Sequence, residues 1–345
     1  MSAQDTRYSQ LQTWLSTQAS VFDLALDSLA PASSDASFRR YFRIQAGERT
    51  LVIMDAPPAQ EDCRPFVQVA ELLRAGGLNV PHILSHDAAQ GFMLLTDLGA
   101  KTYLQRIREG MSDAQCQSLY LDAIAALVRM QQVAPRGLPV YDQARFSDEL
   151  SVFPEWYVGV HHGVTLDDAT RNHLKSVFDL LSASSASGPQ VLVHRDFHSP
   201  NLMASAAPAD GPNPGIIDFQ DAVSGPIAYD LASLVMDART TWDEAQQLDW
   251  AIRYWEAARA ANLPVEADFA EFHRRYEWMS LQRNLRILGV FARLNHRDGK
   301  AAYLDHMPRV NEYVRQVAYR YGAFGHLRKL LDKLDNRQSF AGLSV

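Results

Sequence analysis

Tyr8, Leu11, Trp14 and Leu15 recur at helical spacing between Asp5 and Ala19, and the spacing predicts an amphipathic helix at about residues 5–19 that packs on whatever follows. From about Phe22 to Ala56 the pattern changes to short apolar runs broken by turn formers. VFDLALDSLA, FRRYFRIQA and TLVIMDA read as three strands of an antiparallel meander, separated by SSDAS and by the turn around Gly47. A helical run from Pro65 to Ala75 stops at the Gly76-Gly77 pair, and NVPHILSHD and GFMLLTDLG then read as two more strands.

Beyond Gly99 the period lengthens. Amphipathic helices are predicted near residues 112–133, 166–184, 242–262, 266–294 and 302–319. One island interrupts them, from Val191 to Asp237, with two short apolar strands, VLVH and GIID, split by the loose stretch ASAAPADGPNPG. The pattern as a whole predicts an α+β, two-lobed chain. A small N-terminal lobe, residues 1–98, carries a five-stranded antiparallel sheet and one inserted helix behind the leading helix; a larger, mainly helical lobe spans residues 99–345. No internal repeat and no long linker separates independent domains.

Composition narrows the functional classes. Hydrophobic residues make up 47% of the chain and charged residues 21%, so a packed core is expected rather than disorder. Against 33 basic residues stand 40 acidic ones, a net charge of -7, and no broad cationic field exists to recruit nucleic acid or an anionic membrane. Cys63 and Cys116 fit no metal-ligand spacing, which favours a reducing cytoplasm. The start, MSAQDTRYSQLQTWLSTQ, has no signal-peptide layout, and no run of eighteen apolar residues occurs, so neither secretion nor a membrane span is expected. Nothing points to an obligatory protein partner.

The chemistry concentrates in the island. His194-Arg195-Asp196 is followed by Asn201 five residues after the aspartate, and Ile216-Ile217-Asp218 closes an apolar strand. Phosphoryl transfer asks a protein for one carboxylate to take the acceptor's proton and for oxygen ligands that hold Mg²⁺ against the phosphates. Asp196, Asn201 and Asp218 supply those groups. Taken singly, each is an ordinary turn former; the joint spacing, after one strand and at the end of another, favours the site. The same chemistry asks for a polar turn over the phosphates. SSDASFRR lies between the first two strands, where Ser33, Ser34 and Ser37 offer hydroxyls and backbone N–H groups. It contains no glycine and reads equally as a plain hairpin turn.

VLVHRDFHSPNLM together with GIIDFQDAVSGPIAYDLASLV resembles the catalytic core of the aminoglycoside phosphotransferase and choline kinase superfamily, small-molecule relatives of the protein kinases. The resemblance covers nearly the whole chain and implies ATP and Mg²⁺ as cofactors. It assigns Asp196 as base and Asn201 and Asp218 as magnesium ligands. Backbone at Thr96, Asp97 and Leu98 would hold adenine, and His194 and Asp230 would support the catalytic loop. In that family a lysine on the third strand holds the α- and β-phosphates; here Met54 stands in its place, and Glu71 on the following helix has no lysine to pair with. A replacement cation is sought on the second strand, where Arg39, Tyr41 and Arg43 share one face and Arg40 takes the other. With Tyr41 over adenine, Arg39 would overhang the phosphates.

SFRRYFRI, MDAPP, FPEWYVGV and LQRNLRILGVFARLNHRDGK resemble, more narrowly, the bacterial anomeric kinases that act on N-acetylmuramate and N-acetylglucosamine in cell-wall recycling. That likeness implies a small sugar as acceptor. Trp156, Tyr157, Tyr276 and Trp278 could offer ring faces to a sugar or simply pack the core, and Arg283 or Arg286 could meet a lactyl carboxylate. Glu155, Gln282 and His198 are candidate sugar contacts. His161 and His162, adjacent and without further ligands, do not read as a metal site. The alternatives are a kinase of choline, homoserine or an aminoglycoside, or a catalytically silent nucleotide-binding regulator.

Overall fold

The leading helix is α1 (Ala3–Phe22), and its apolar stripe, Leu11, Trp14 and Leu15, is buried against the sheet that follows. That sheet begins with β1 (Leu24–Ser33), β2 (Arg40–Ala46) and β3 (Arg49–Asp55). Alternation in β2 sends Phe42, Ile44 and Ala46 inward, where they join Leu51 and Ile53 of β3 under α1. Each of the larger of these, Phe42, Ile44, Leu51 and Ile53, contributes roughly 1.5–3 kcal/mol when buried relative to exposure. The computed structural model describes residues 3–33, 38–205 and 211–335.

Next, α2 (Arg64–Ala75) opens with Pro65 in its first turn, buries Phe66, Val69, Ala70 and Leu73, and stops where Gly77 turns left-handed at φ 75°. The strands β4 (Ile83–Asp87) and β5 (Phe92–Thr96) complete an antiparallel sheet in the order β1-β2-β3-β5-β4. Burial explains that order. Phe92, Met93, Leu94 and Leu95 are all buried, so β5 belongs in the interior against β3, with Met54 opposite Met93; the half-exposed β4 takes the edge.

The island folds into two separate ladders. β6 (Gln190–Val193) pairs with β9 (Val223–Pro226), and β7 (Leu202–Met203) pairs with β8 (Gly215–Ile216). The VLVH and GIID runs are thus strands, as expected, but neighbours of other segments rather than of each other.

By contacts the chain divides into two units: residues 1–101 with 202–221, and residues 102–201 with 222–345. The β7–β8 hairpin, expected with the C-terminal lobe, clusters with the first unit. Ile216 N–H donates to Asn79 O at 2.7 Å, Ala204 N–H to Lys101 O at 2.9 Å, and Phe219 lies against Phe66 with centroids 4.9 Å apart.

The second unit is helical: α3 (Tyr103–Arg108), α4 (Asp113–Gln131), α5 (Gln143–Leu150), a π-helical stretch Phe153–His161, α6 (Asp168–Ala186), α7 (Tyr229–Val235), α8 (Glu244–Ala260), α9 (Phe269–His296), α10 (Met307–Arg320) and α11 (Gly325–Leu334). Thr102 and Ser112 close capping boxes, and Asp142, Asp167, Asp243 and Asp268 cap four more helices. The five long helices of the sequence pattern are all present. The short ones escaped it, and α7 shows why: all seven of its residues are buried, so no apolar stripe exists to be read. The core of this unit gathers Phe153, Leu181, Leu285, Leu288, Val314 and Leu331. Gly289 marks its tightest approach, since a Cβ there would lie 2.5 Å from the backbone carbonyl of Val152. Among the described residues no helix is long and apolar enough to cross a membrane.

Candidate active site

At the end of β6 the chain turns sharply. Arg195 takes φ 76°, a left-handed conformation that is uncommon for a residue with a long side chain and has to be held in place. Asp230, the second residue of α7 and wholly buried, does the holding: its carboxylate accepts the N–H of His194 at 2.7 Å and that of Arg195 at 2.9 Å. Burial pushes the Asp230 carboxyl up to about 6, against the pull of His194 and of the two N–H donors.

The turn delivers Asp196, whose N–H lies 3.3 Å from His194 Nδ1. Its carbonyl accepts the N–H of His198 at 3.0 Å and the Asn201 Nδ2 at 3.0 Å, through a single 3₁₀ turn at Ser199–Asn201. Buried Asp237 anchors that turn, taking both the N–H and the hydroxyl of Ser199 as well as the N–H of Arg239 at 2.9 Å.

Around the Asp196 carboxylate stand His198, with Nε2 at 3.8 Å, and Arg283, with Nη2 at 3.9 Å. The Asp196 side chain keeps 42% of its surface exposed, so an acceptor can reach it. Its low-dielectric surroundings push the carboxyl upward, but His198, Arg283, Arg286 and His194 outweigh that and hold it at about 2. His198 moves the other way: burial pushes its imidazole down to about 4 despite Asp237, which leaves it neutral at physiological pH. Arg286 and Arg195 both reach the Glu149 carboxylate at 3.1 Å, and the Tyr141 hydroxyl donates to the same group.

The remaining candidates of this unit are less centrally placed. Glu155 is exposed on the π-helical stretch and Trp156 packs against the helical core. Gln282 is buried with Nε2 donating to Phe146 O at 2.9 Å. Tyr157 and Tyr276 are buried, and Trp278 packs edge-on to Tyr321 and Phe324, so for these aromatics the core-packing alternative holds. His161 Nδ1 approaches His296 Nε2 at 3.2 Å, yet among the described residues no group of three or more metal-ligating side chains exists.

In the first unit, Asp218 lies two residues beyond the end of β8, again with a left-handed backbone, φ 64°, and its Oδ1 accepts Gln220 Nε2 at 2.8 Å. Met54 is fully buried and its sulfur lies 3.5 Å from the Tyr41 hydroxyl, so no cation occupies the third-strand position. A cation–carboxylate pair does form nearby in sequence, between Arg39 and Glu61 at 3.0 Å rather than with Glu71, which is exposed. Arg40 pairs instead with buried Asp55, which also binds Arg7 of α1 at 2.7 Å. Arg43 and Asp97 bind each other, at 3.0 Å through Nη2, and Asp97 also takes the Thr50 hydroxyl at 2.6 Å. The Thr96 N–H is donated to His82 O at 3.0 Å and Leu98 is buried beside Gly215. The Thr96 amide is therefore engaged within the fold. Ser34 and Ser37 lie outside the described residues.

Sequence reasoning did not single out Glu149 or Asp237, and gave Arg195 no role beyond its place in the motif. Glu149 sits in an eight-residue helix without a legible stripe, and Asp237 lies just past the uniformly buried α7.

The chain matches the Phosphotransferase enzyme family over residues 28–272. It is 44% identical over 338 residues, 96% of this chain and 97% of the relative, to the N-acetylmuramate/N-acetylglucosamine kinase of Pseudomonas aeruginosa. It is 41% identical over 330 residues, 95% of this chain and 96% of the relative, to the protein of the same name from Neisseria meningitidis. Among solved structures it resembles a putative aminoglycoside phosphotransferase from Ralstonia eutropha, with TM-score 0.60 and 14% identity over 95% of this chain and 98% of that one. It also resembles the GDP complex of aminoglycoside 2'-phosphotransferase-IIIa, with TM-score 0.59 and 15% identity over 90% and 99%. At such identities the structural likeness speaks for the fold.

Proposed function

The chain belongs to the phosphotransferase enzyme family, and from that premise we propose that it moves the γ-phosphoryl group of ATP to the anomeric hydroxyl of N-acetylmuramate and N-acetylglucosamine. The product is a sugar 1-phosphate that feeds cell-wall precursor recycling. The observation that carries the reading is the Asp196 loop, with its base, its Asn201 tie and its Asp230 anchor, in a chain that shares nearly its whole length with two kinases of those sugars.

Asp196 accepts the hydrogen bond of the anomeric hydroxyl and takes its proton. Held at about 2, it is a weak base, so it orients the hydroxyl first and receives the proton as the new O–P bond forms. An anomeric hydroxyl is more acidic than an ordinary alcohol, which suits so weak a base. His198, neutral, leaves the carboxylate ionised without competing for the proton.

Asn201 and Asp218 would hold magnesium. Asn201, tied through Nδ2 to the Asp196 carbonyl, brings an amide oxygen and Asp218 a carboxylate, both the hard oxygen donors that Mg²⁺ takes. Two protein ligands suit an ion that keeps several waters and binds phosphate oxygens, and no denser acidic cluster exists among the described residues. When bound, the ion neutralises charge on the β- and γ-phosphates. Arg39, braced by Glu61, would take the phosphate-holding role of the absent lysine, Tyr41 would face the base, and backbone at Asp97 and Leu98 would hold its edge, with Arg43 fixing Asp97. Glu155, Trp156, Gln282 and Arg283 would frame the sugar.

The cluster of Arg195, Arg283 and Arg286 about Asp196 disfavours a polycationic acceptor such as an aminoglycoside. The reading places the enzyme in the cytoplasm, where ATP is available, and calls for neither a membrane nor a protein partner. A coupled ADP-release assay across N-acetylmuramate, N-acetylglucosamine, glucosamine, choline and kanamycin, with phosphorus NMR of the product, tests it. Turnover on the two N-acetyl sugars with an anomeric phosphate is expected; inactivity on both overturns the reading.

A further inference from the structure

Arg283 and Arg286 lie three residues apart on α9, and their surroundings differ. Arg286 is bound within the fold, its Nε 3.1 Å from a Glu149 carboxylate that Arg195 and Tyr141 also share. Arg283 has only 5% of its side chain exposed, yet its Nε and Nη1 are enclosed without a hydrogen-bond partner among the described residues. Its Nη2 stands 3.9 Å from Asp196, too far for a hydrogen bond. Beside it, His198 Nδ1 is likewise enclosed and unbonded. A desolvated guanidinium with two unbonded nitrogens is costly, and such groups are rare in folded proteins unless a ligand completes them.

We propose that Arg283 is a carboxylate-binding subsite and takes the lactyl carboxylate of N-acetylmuramate in a planar, two-point contact. The inference rests on the activity proposed above and adds to it the residue that reads the acid. Three features support a carboxylate. The guanidinium fork matches its two oxygens. Among the described residues no carboxylate other than Asp196 pairs with Arg283, and the proposed function reserves Asp196 for the acceptor hydroxyl. The lactyl group and the anomeric hydroxyl sit on one pyranose ring, so a sugar whose anomeric hydroxyl meets Asp196 carries its carboxylate within a ring's width, and Arg283 adjoins Asp196. Engagement requires the enclosed nitrogens to turn toward the sugar, a side-chain rearrangement common on binding. N-acetylglucosamine, with a hydroxyl at that carbon, enters without this contact.

The test is a cycle of residue and functional group. The kcat/KM of wild type and of Arg283→Ala is measured with N-acetylmuramate, with its carboxamide and with N-acetylglucosamine. In wild type the acid is expected to exceed the amide by about 30-fold or more, the scale of a desolvated charge pair that loses one member. In Arg283→Ala the two are expected to react alike, and the N-acetylmuramate to N-acetylglucosamine ratio should fall by a similar factor. Arg283→Lys should recover part of the acid's advantage. If thermal melting shows that the alanine variant does not fold, Arg283→Gln carries the same comparison. A wild-type acid-to-amide ratio near one overturns the subsite, as does an equal loss on all three sugars in every variant. Wild type inert on both N-acetyl sugars overturns the activity itself, and the subsite with it.

Discussion

Asn201 Nδ2 donates a 3.0 Å hydrogen bond to the backbone carbonyl of Asp196, tying the proposed metal ligand to the proposed base. One side chain thus does two things, and the two can be separated. Asn201→Asp keeps an oxygen and loses the donor, so the loop loosens while a metal ligand remains; kcat should fall about 10-fold or more with no greater need for Mg²⁺. Asn201→Ala removes both, and should lower kcat by roughly 10²- to 10³-fold and raise the Mg²⁺ concentration for half-maximal rate. Initial rates at saturating ATP and stepped magnesium check this. Identical magnesium curves for all three proteins would show that Asn201 is no ligand.

Asp230 gives a pH dependence of unusual sign. Its folded-state carboxyl, raised to about 6 from an ordinary 3.8, favours the protonated form in the fold. The stability it contributes is complete below about pH 4 and is lost as pH rises through 6, a change of about 3 kcal/mol at most. Asp196 runs opposite, its smaller contribution being lost as pH falls toward 2. Asp230→Asn removes the first titration. Its melting temperature should be flatter than that of wild type between about pH 4 and 7, while kcat falls because the amide NH₂ now faces one of the two backbone donors, of His194 or of Arg195. Parallel melting curves for the two proteins across that range would refute the assignment.

The sheet and the long helices were legible because each buries one face and exposes the other, as β2 does through Phe42, Ile44 and Ala46. The turns at Asp196 and Asp218 were legible as polar positions closing apolar runs, and each holds a left-handed residue, Arg195 and Asp218. The place of Asp230 beneath the loop came from the family resemblance alone; what the residue pattern could not show is partnership across long separations, such as Glu149 joining Arg195 to Arg286, or which of Arg283 and Arg286 is already engaged. The arginines of β2 and Arg39 just before it illustrate the same limit. Their two-residue period put Arg39 and Arg43 on one face, but their carboxylate partners, Glu61 and Asp97, come from segments that periodicity cannot link to them.

The Arg39–Glu61 pair at 3.0 Å yields a prediction for the nucleotide. With Met54 buried where a lysine was expected, loss of Arg39 removes the cation that the reading places over the phosphates. Arg39→Ala should raise the KM for ATP about 10-fold or more and leave the KM for sugar nearly unchanged, while Glu61→Gln, which only frees the arginine, should have a smaller effect of the same kind. Steady-state kinetics with each substrate varied separately decides it. An unchanged KM for ATP in Arg39→Ala would move the phosphate role to other groups.

Gly289 lies mid-helix in α9, where alanine would by propensity alone be better by about 1 kcal/mol. The packing reverses that sign. A Cβ at this position would sit 2.5 Å from both the carbonyl carbon and oxygen of Val152, and these are backbone atoms at the entry to the π-helical stretch, so no side-chain rotation relieves the clash. Gly289→Ala should therefore destabilise the protein by about 1–3 kcal/mol net, a fall of several degrees in melting temperature. Because the displaced stretch carries Glu155 and Trp156, the KM for sugar should rise more than the KM for ATP. Differential scanning calorimetry and two-substrate kinetics on the same preparation check both halves. An alanine variant as stable as wild type would mean that α9 and the π-helical stretch can move apart at no cost.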